Sequence, residues 1–292
     1  MKLLFVTNFN QIAQASGGFI SDYLNDLTFY GLKELVGDDV VDSTPIPSLY
    51  REMQPSIPVE SLWGGMTAFW LLGFSPEGRD DIPERIGARF YDFIIYGAAR
   101  RCLDYYDLVA KVYPPKRVIL IDGNDDTDVH PLHTRHPYFK RELIAPMPNV
   151  YPISFALPTV KLSGLKTEKT QHLGTVIPGK RETYIFKREE EYYADYQRSY
   201  FGITRKKAGW DALRHYEILG NSCVPVFEDL EGCPATTLTT LPKAALLEGR
   251  GLYDRFHAER YDRLLRELYA YTAERLTTRV LAQNLLATIG GV

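Results

Sequence analysis

The chain has 292 residues, of which 45% are hydrophobic and 24% charged, the balance of a globular protein rather than a disordered or fibrous one. Its 34 basic and 37 acidic residues leave a net charge of −3, which argues against a general nucleic-acid binder but leaves room for a local basic groove. Cys102, Cys223 and Cys233 are far apart and form no C-x-x-C, so neither a disulfide framework nor a zinc ribbon is indicated.

Leu3-Leu4-Phe5-Val6 is a continuous apolar run, as expected of a buried parallel strand. It is too short for a signal peptide, and Thr67 to Phe74 falls far short of the ~20 residues of a membrane span, so a cytoplasmic protein with no membrane span is expected. A polar turn with Ser16-Gly17-Gly18 precedes a helical pattern from Phe19 to Leu35, which Gly37 stops; Val40-Val41 then completes a βαβ opening. Residues 45–90 are rich in Pro and Gly and carry no assignable period. Beyond them come a strand at Phe93 to Tyr96, a helix from Ala98 to Val112 and a strand at Val118 to Ile121. An acidic turn opens at Asp122, followed by a short helix at Tyr138 to Leu143 and a last strand at Val150 to Leu157.

The polar stretch Lys161 to Gln171 reads as a linker. A second alternation follows, with strands at His172 to Ile177 and Tyr184 to Phe186 and a charged helix bearing Tyr192, Tyr196 and Tyr200 at intervals of four. After the basic turn Arg205-Lys206-Lys207, a helix from about Trp210 to Leu219 leads into a strand at Cys223 to Phe227. The tail from Leu252 to Leu286 is amphipathic, with Tyr261, Leu264, Leu265, Leu268 and Tyr271 on one stripe and Thr277 or Thr278 placed to cap the final helix.

The strand, basic turn and helix start between Tyr200 and Glu217 form the most informative stretch. Helix N-termini favour anions through unpaired N–H groups and the macrodipole, and Arg205, Lys206 and Lys207 add positive charge there. Arg214 and Glu217, three residues apart, share a helix face. A cationic cradle beside a carboxylate suits a nucleotide diphosphate and its ribose; the plain alternative is a surface helix with an internal ion pair. Trp210 is placed to stack on a base, and Asp211 either faces the ligand or serves the helix dipole.

A second feature is the acidic loop Asp122-Gly123-Asn124-Asp125-Asp126-Thr127-Asp128, which directly follows a strand, where ligands of open α/β sheets bind. Crowded like charges raise one another's pKa, which would suit Asp125 or Asp126 to act as a general base. Asp126-Thr127-Asp128 also fits the D-x-D of metal-dependent glycosyltransferases, whereas Asx-turn chemistry accounts for the loop without any function. His130, His133 and His136 recur every three residues, but Pro131 and Pro137 disfavour a helix that would bring them to one metal; His130 is the natural candidate for proton transfer near the acidic loop. Ser16-Gly17-Gly18 reads as a phosphate or sugar loop, or as a plain turn, and no dinucleotide or P-loop fingerprint is present. Lys140-Arg141-Glu142 either faces the cleft or forms a solvated face.

Tyr193 to Gly202 and Gly209-Trp210-Asp211 through Glu217 resemble the donor half of GT-B glycosyltransferases, closest to the exostosin-like and spore-maturation-protein-like (CgeB-like) groups. The Asp22-Tyr23-Leu24 to Asp42 stretch, Asp122 to Asp126 and Tyr138 to Leu143 look like the same set. The resemblance implies an α/β fold with two Rossmann-like domains facing across a cleft. Residues 1–160 would form the acceptor side, 170–260 the nucleotide-sugar side, and 261–292 a helical tail returning to the first domain. By position, Lys207 and Arg214 would meet the diphosphate and Glu217 the ribose hydroxyls, with Gly17, Gly18, Arg205, Trp210, Asp211 and His215 completing the donor site and Lys140 and Arg141 near the cleft. Such enzymes work without a bound metal or other cofactor, because basic side chains and a helix dipole stabilise the leaving diphosphate. The retaining E-x7-E pattern is not met, since the residue eight beyond Glu217 is Pro225, and an inverting reaction with Asp125 or Asp126 as base is preferred. The expected partners are a nucleotide sugar and an acceptor glycan or other hydroxyl compound. Three rivals stand beside this reading: a metal-dependent transferase built on Asp126 and Asp128, an enzyme glycosylating a hydroxylated DNA base, and a non-enzymatic ligand-binding protein.

Overall fold

The computed structural model describes residues 1–7, 22–56, 66–75 and 78–290. Strand β1 (Leu3–Val6) is buried along its whole length, because layers cover it on both faces. It pairs in parallel with β2 (Val40–Asp42) on one side and β3 (Phe93–Tyr96) on the other. Strands β4 (Val118–Asp122), β5 (Tyr138–Lys140) and β6 (Val150–Pro152) extend the sheet, all parallel, in the order β2-β1-β3-β4-β5-β6. Side chains alternate between its faces: Leu3, Phe5, Ile95, Ile121 and Phe139 join one apolar cluster, while Leu4, Val6, Ile94, Leu120 and Tyr138 join another.

Helix α1 (Tyr23–Val36) begins where the Asp22 carboxylate accepts the Asn25 amide at 3.2 Å and ends at Gly37, whose φ of 59° is a conformation glycine adopts without strain. The opposite face of the sheet carries α2 (Ile82–Gly87) and α3 (Tyr106–Val112), through Ile82, Ile86 and Val109.

Strands β7 (Gln171–Leu173), β8 (Ser199–Thr204) and β9 (Val224–Phe227) build a second parallel sheet, in that order. Helix α4 (Glu189–Gln197) enters β8, and α5 (Leu213–Gly220) connects β8 to β9. Helix α6 (Lys243–Asp254) packs on β9, and α7 (Ala258–Arg275) buries Tyr261, Leu264, Leu265 and Leu268, each worth about 1.5–3 kcal/mol when withdrawn from water. Thr277 caps α8 (Thr278–Thr288) by accepting the Val280 amide. Helix α8 lies on α1: Thr278 donates to Glu34, and a Cβ built on Gly31 would sit 2.1 Å from the Thr278 carbonyl oxygen. The main apolar cluster runs without interruption from the first sheet through α8 and α7 to the second.

Several local expectations are corrected. The helix expected at 98–112 is only α3, because turns fill 98–105 and Tyr105 takes a left-handed φ of 62°. Residues 138–143 start as strand β5, with Tyr138 and Phe139 buried on opposite faces. The last strand of the sheet stops at Pro152 instead of Leu157. No strand forms at 184–186, where a 3-10 turn (Arg181–Thr183) runs into coil, and Tyr200 belongs to β8 rather than to the tyrosine-bearing helix. Gly17 and Gly18 lie outside the described residues.

Candidate functional site

A cavity of about 990 Å³ opens at the carboxyl ends of strands from both sheets. Asp22 and Tyr23 follow β1, Arg101 follows β3, Gly123 and Asp125 follow β4, and Arg141 follows β5; the order β2-β1-β3 places them at the point where chain connections diverge, the usual crevice of an open α/β sheet. The facing wall comes from the segment after β7 (Val176 to Glu189), Tyr192 on α4, and the turn and helix after β8 (Arg205 to Glu217).

The turn after β8 is held from several sides. The Lys206 amide donates to Asp229 at 3.0 Å, and the Lys207 amide to the Gly209 carbonyl at 2.9 Å. Glu142, just beyond β5, accepts the Trp210 and Asp211 amides at 2.8 and 3.0 Å. This reach requires glycine at 209, since a Cβ there would sit 2.5 Å from the Glu142 carboxylate. With those amides engaged by a carboxylate, helix α5 starts at Leu213, three residues later than the sequence suggests.

Arg214, in the first turn of α5, lines the cavity. Its Nη2 donates to the Tyr184 hydroxyl at 3.1 Å and its guanidinium lies 5.3 Å from the centre of that ring. Nε and Nη1 are buried and have no hydrogen-bond partner among the described residues. Those two nitrogens carry three of the five N–H bonds of the group, so most of its donor capacity is unused. Arg181, Arg205 and Lys207 also line the cavity and make no ion pair among the described residues. Lys207 is an exposed residue, yet partial loss of hydration at the wall lowers its pKa, with the Arg214 charge adding to the effect.

Glu217 stands one turn further along α5 and is buried. Its Oε1 accepts from Thr67 at 2.5 Å and its Oε2 from Tyr192 at 2.8 Å; Tyr193 in turn reaches the Thr67 hydroxyl at 2.5 Å. Burial raises the Glu217 pKa, opposed by the two hydroxyls and by Arg214. The ion pair with Arg214 that a simple surface helix would show is not formed; Glu217 is instead bonded across the cavity to Thr67.

The acidic loop differs from expectation because cations, not like charges, set its electrostatics. Asp122 is buried against Tyr138 (2.6 Å) and Lys140 (3.1 Å). Asp126 meets Lys140 at 3.5 Å and Arg100 at 3.9 Å; burial works to raise its pKa, but those cations outweigh burial and hold it below the ordinary carboxylate value. Of the two proposed bases, Asp125 lines the cavity and Asp126 does not. Asp125 pairs with Arg141, whose guanidinium also bonds the Gly123 carbonyl (3.0 Å) and the Asp211 carbonyl and lies 4.9 Å from the Phe155 ring centre.

Several other candidates stand elsewhere. Lys140 has no exposed surface and serves the acidic loop. The half-buried Trp210 ring packs against the core, 5.0 Å from the Lys206 ammonium, and is not part of the cavity wall. His215 is fully buried, stacked on Phe227 with ring centres 4.4 Å apart. Its Nε2 donates to the Trp210 carbonyl (2.9 Å) and its Nδ1 accepts from Thr204 (2.7 Å), while burial pushes its pKa down to about 4. Asp211 touches the cavity, but its Oδ2 accepts the Phe155 amide at 2.7 Å; burial raises its pKa to about 7 against the pull of Arg141. His130 caps the turn at Pro131–Thr134, away from the cavity, by accepting the Leu132 amide at 3.3 Å. His136 is buried between Tyr106 and the Pro115 carbonyl. Among the described residues, no group of three or more His, Cys, Asp or Glu is arranged to hold a metal ion.

The sequence reading missed Tyr184, Tyr192 and Thr67. Nothing local marks Thr67, which lies in an unassigned stretch. Tyr192 carried a signal only as part of a helical spacing, which is more often a packing pattern, and Tyr184 was read only as the start of a strand. No protein-family profile matches the chain, and no curated protein matches it.

Proposed function

We propose that the protein is a glycosyltransferase of the GT-B kind, which moves a sugar from a nucleoside-diphosphate donor to an acceptor hydroxyl. The single observation that carries this reading is the Arg214 guanidinium in the cavity wall, whose buried Nε and Nη1 have no partner among the described residues, beside Lys207 and Arg205, which make no ion pair among them. Burying a cation without an acceptor is costly, so an anionic ligand is the natural complement. The cavity volume of about 990 Å³ is at the upper end for small-ligand sites and suits a nucleotide sugar with room for an acceptor.

In this reading the diphosphate lies on Arg214, Lys207 and Arg205, and Glu217 takes the ribose hydroxyls in place of its present bonds to Thr67 and Tyr192. The acceptor oxygen attacks the anomeric carbon, the bond from that carbon to the diphosphate oxygen breaks, and the proton of the acceptor passes to Asp125 from the opposite wall. Charge growing on the departing diphosphate is met by cations already in place. No metal is required in this scheme, and the D-x-D alternative loses support because Asp126 is engaged by Lys140 and Arg100 outside the cavity. The two sheets would correspond to acceptor and donor domains.

The test is release of nucleoside diphosphate from a panel of UDP-, GDP-, ADP-, CDP- and dTDP-sugars, with and without EDTA. Turnover of one donor that is indifferent to chelator is expected. Binding of a sugar nucleotide with no transfer to any acceptor and no hydrolysis would favour a non-enzymatic binding protein.

A further inference from the structure

The coil between the 3-10 turn (Arg181–Thr183) and α4 supplies one side chain to the anion wall that nothing in the proposed chemistry uses: Tyr184, 46% exposed and lining the cavity. We propose that Tyr184 is a positioning residue that holds the Arg214 guanidinium in the orientation that meets the diphosphate. This rests on the reading of the cavity as a diphosphate site and goes further by naming what sets its principal cation.

Two contacts fix the arrangement. The phenol oxygen accepts from Nη2 at 3.1 Å, and the ring lies 5.3 Å from the guanidinium carbon. The ring therefore limits rotation about the long side chain while the oxygen selects one nitrogen. The remaining donors, on Nε and Nη1, are buried with no acceptor among the described residues, so their hydrogen-bonding capacity is unspent when an anion enters the wall. An arginine held this way loses less side-chain freedom on binding.

Tyr184 is itself anchored. The Thr183 hydroxyl accepts the Ile177 amide at 3.0 Å and donates to the Lys180 carbonyl at 2.7 Å, closing the loop from 177 to 183. Gly179, at a φ of 85°, leaves space for Arg205, whose Nη2 would sit 2.2 Å from a Cβ at that position. The charged groups facing the phenol are Arg214 from α5 and Lys207 from the preceding turn. Burial would raise the phenol pKa, but these two cations lower it overall. Pyrophosphate bound on the same cations offsets their charge, so its binding shifts the Tyr184 ionisation to higher pH.

The experiment uses inorganic pyrophosphate, which needs no knowledge of base or sugar, with the wild type, Tyr184→Phe and Arg214→Ala. Calorimetry is expected to show pyrophosphate binding weakened roughly tenfold in Tyr184→Phe, the effect of one hydrogen bond to a charged group, while the unliganded variant keeps the wild-type melting temperature. Near-ultraviolet titration is expected to show one tyrosinate, present in the wild type and missing in Tyr184→Phe, that moves to higher pH when pyrophosphate is added. Equal pyrophosphate affinity in wild type and Tyr184→Phe, or a tyrosinate signal unmoved by pyrophosphate, overturns the positioning role. Pyrophosphate binding that depends on Tyr184, with no sugar nucleotide bound, would instead uphold the positioning role and remove the donor reading.

Discussion

Truncating Arg214 removes a cavity-lining guanidinium with two nitrogens unpartnered among the described residues, and Lys207→Ala removes a second cation of the same wall. Each substitution is expected to cost about 2–3 kcal/mol of diphosphate affinity, or about 30- to 150-fold, the range for charge-assisted hydrogen bonds. Folding should change little, because neither side chain makes an ion pair among the described residues. Asp125→Asn should retain donor binding and lose at least about tenfold in turnover; full activity in that variant would take the acidic loop out of the mechanism. His215 and Asp211 give opposite pH signatures. His215, held at about 4, stabilises the fold fully above its unfolded value of 6.5, and that contribution is lost as pH falls through the interval. Asp211, raised to about 7, contributes fully below 3.8 and loses that contribution as pH rises toward 7. The slopes, each up to about 1.4 kcal/mol per pH unit, oppose one another between about pH 4 and 6.5. Urea melts should therefore show Asp211→Asn gaining stability relative to wild type as pH rises through that window, and His215→Gln losing it. Parallel profiles for all three proteins would contradict the assigned pKa values.

At the scale of elements, α1 and α8 approach one another closely at Gly31. Gly31→Ala would drive a methyl against the Thr278 carbonyl, and a loss of about 1–3 kcal/mol is expected by chemical denaturation; an unchanged midpoint would show that α8 yields without cost. The elements that were legible from sequence are those whose period or punctuation is unambiguous. Leu3–Val6, Phe93–Tyr96 and Val118–Asp122 are apolar runs long enough to read as buried strands, Gly37 ends α1, and Thr277 caps α8. Short elements were not legible. Three residues of β5 cannot display a period, and only pairing with β4 and β6 makes them a strand. The basic turn after β8 was visible as a run of charge, and Arg214, Lys207 and Glu217 do line one cavity. Trp210 and His215 were misplaced because helical spacing does not say which face turns inward: Glu142 holds the Trp210 amide, and Phe227 and Thr204 enclose the His215 ring. Thr67 and Tyr184 reach the site from segments with no local signature, and only the tertiary fold reveals them.

For the whole molecule, the notable contrast is between a net charge of −3 and a cavity wall where Arg181, Arg205, Lys207 and Arg214 make no ion pair among the described residues. Such a local field should attract anions in a way that salt weakens: raising ionic strength is expected to lower diphosphate affinity while leaving any uncharged ligand unaffected. Affinity independent of salt would mean that these side chains do not meet the ligand's charge. Binding of a nucleoside diphosphate by Arg214 and its neighbours is what the proposed function requires. Its most direct test is calorimetric titration of wild type and Arg214→Ala with UDP, GDP, ADP, CDP and dTDP. At least one of the five is expected to bind the wild type and to lose about 30-fold or more in affinity in Arg214→Ala. Binding of none of them by the wild type, or equal binding by both proteins, would contradict it.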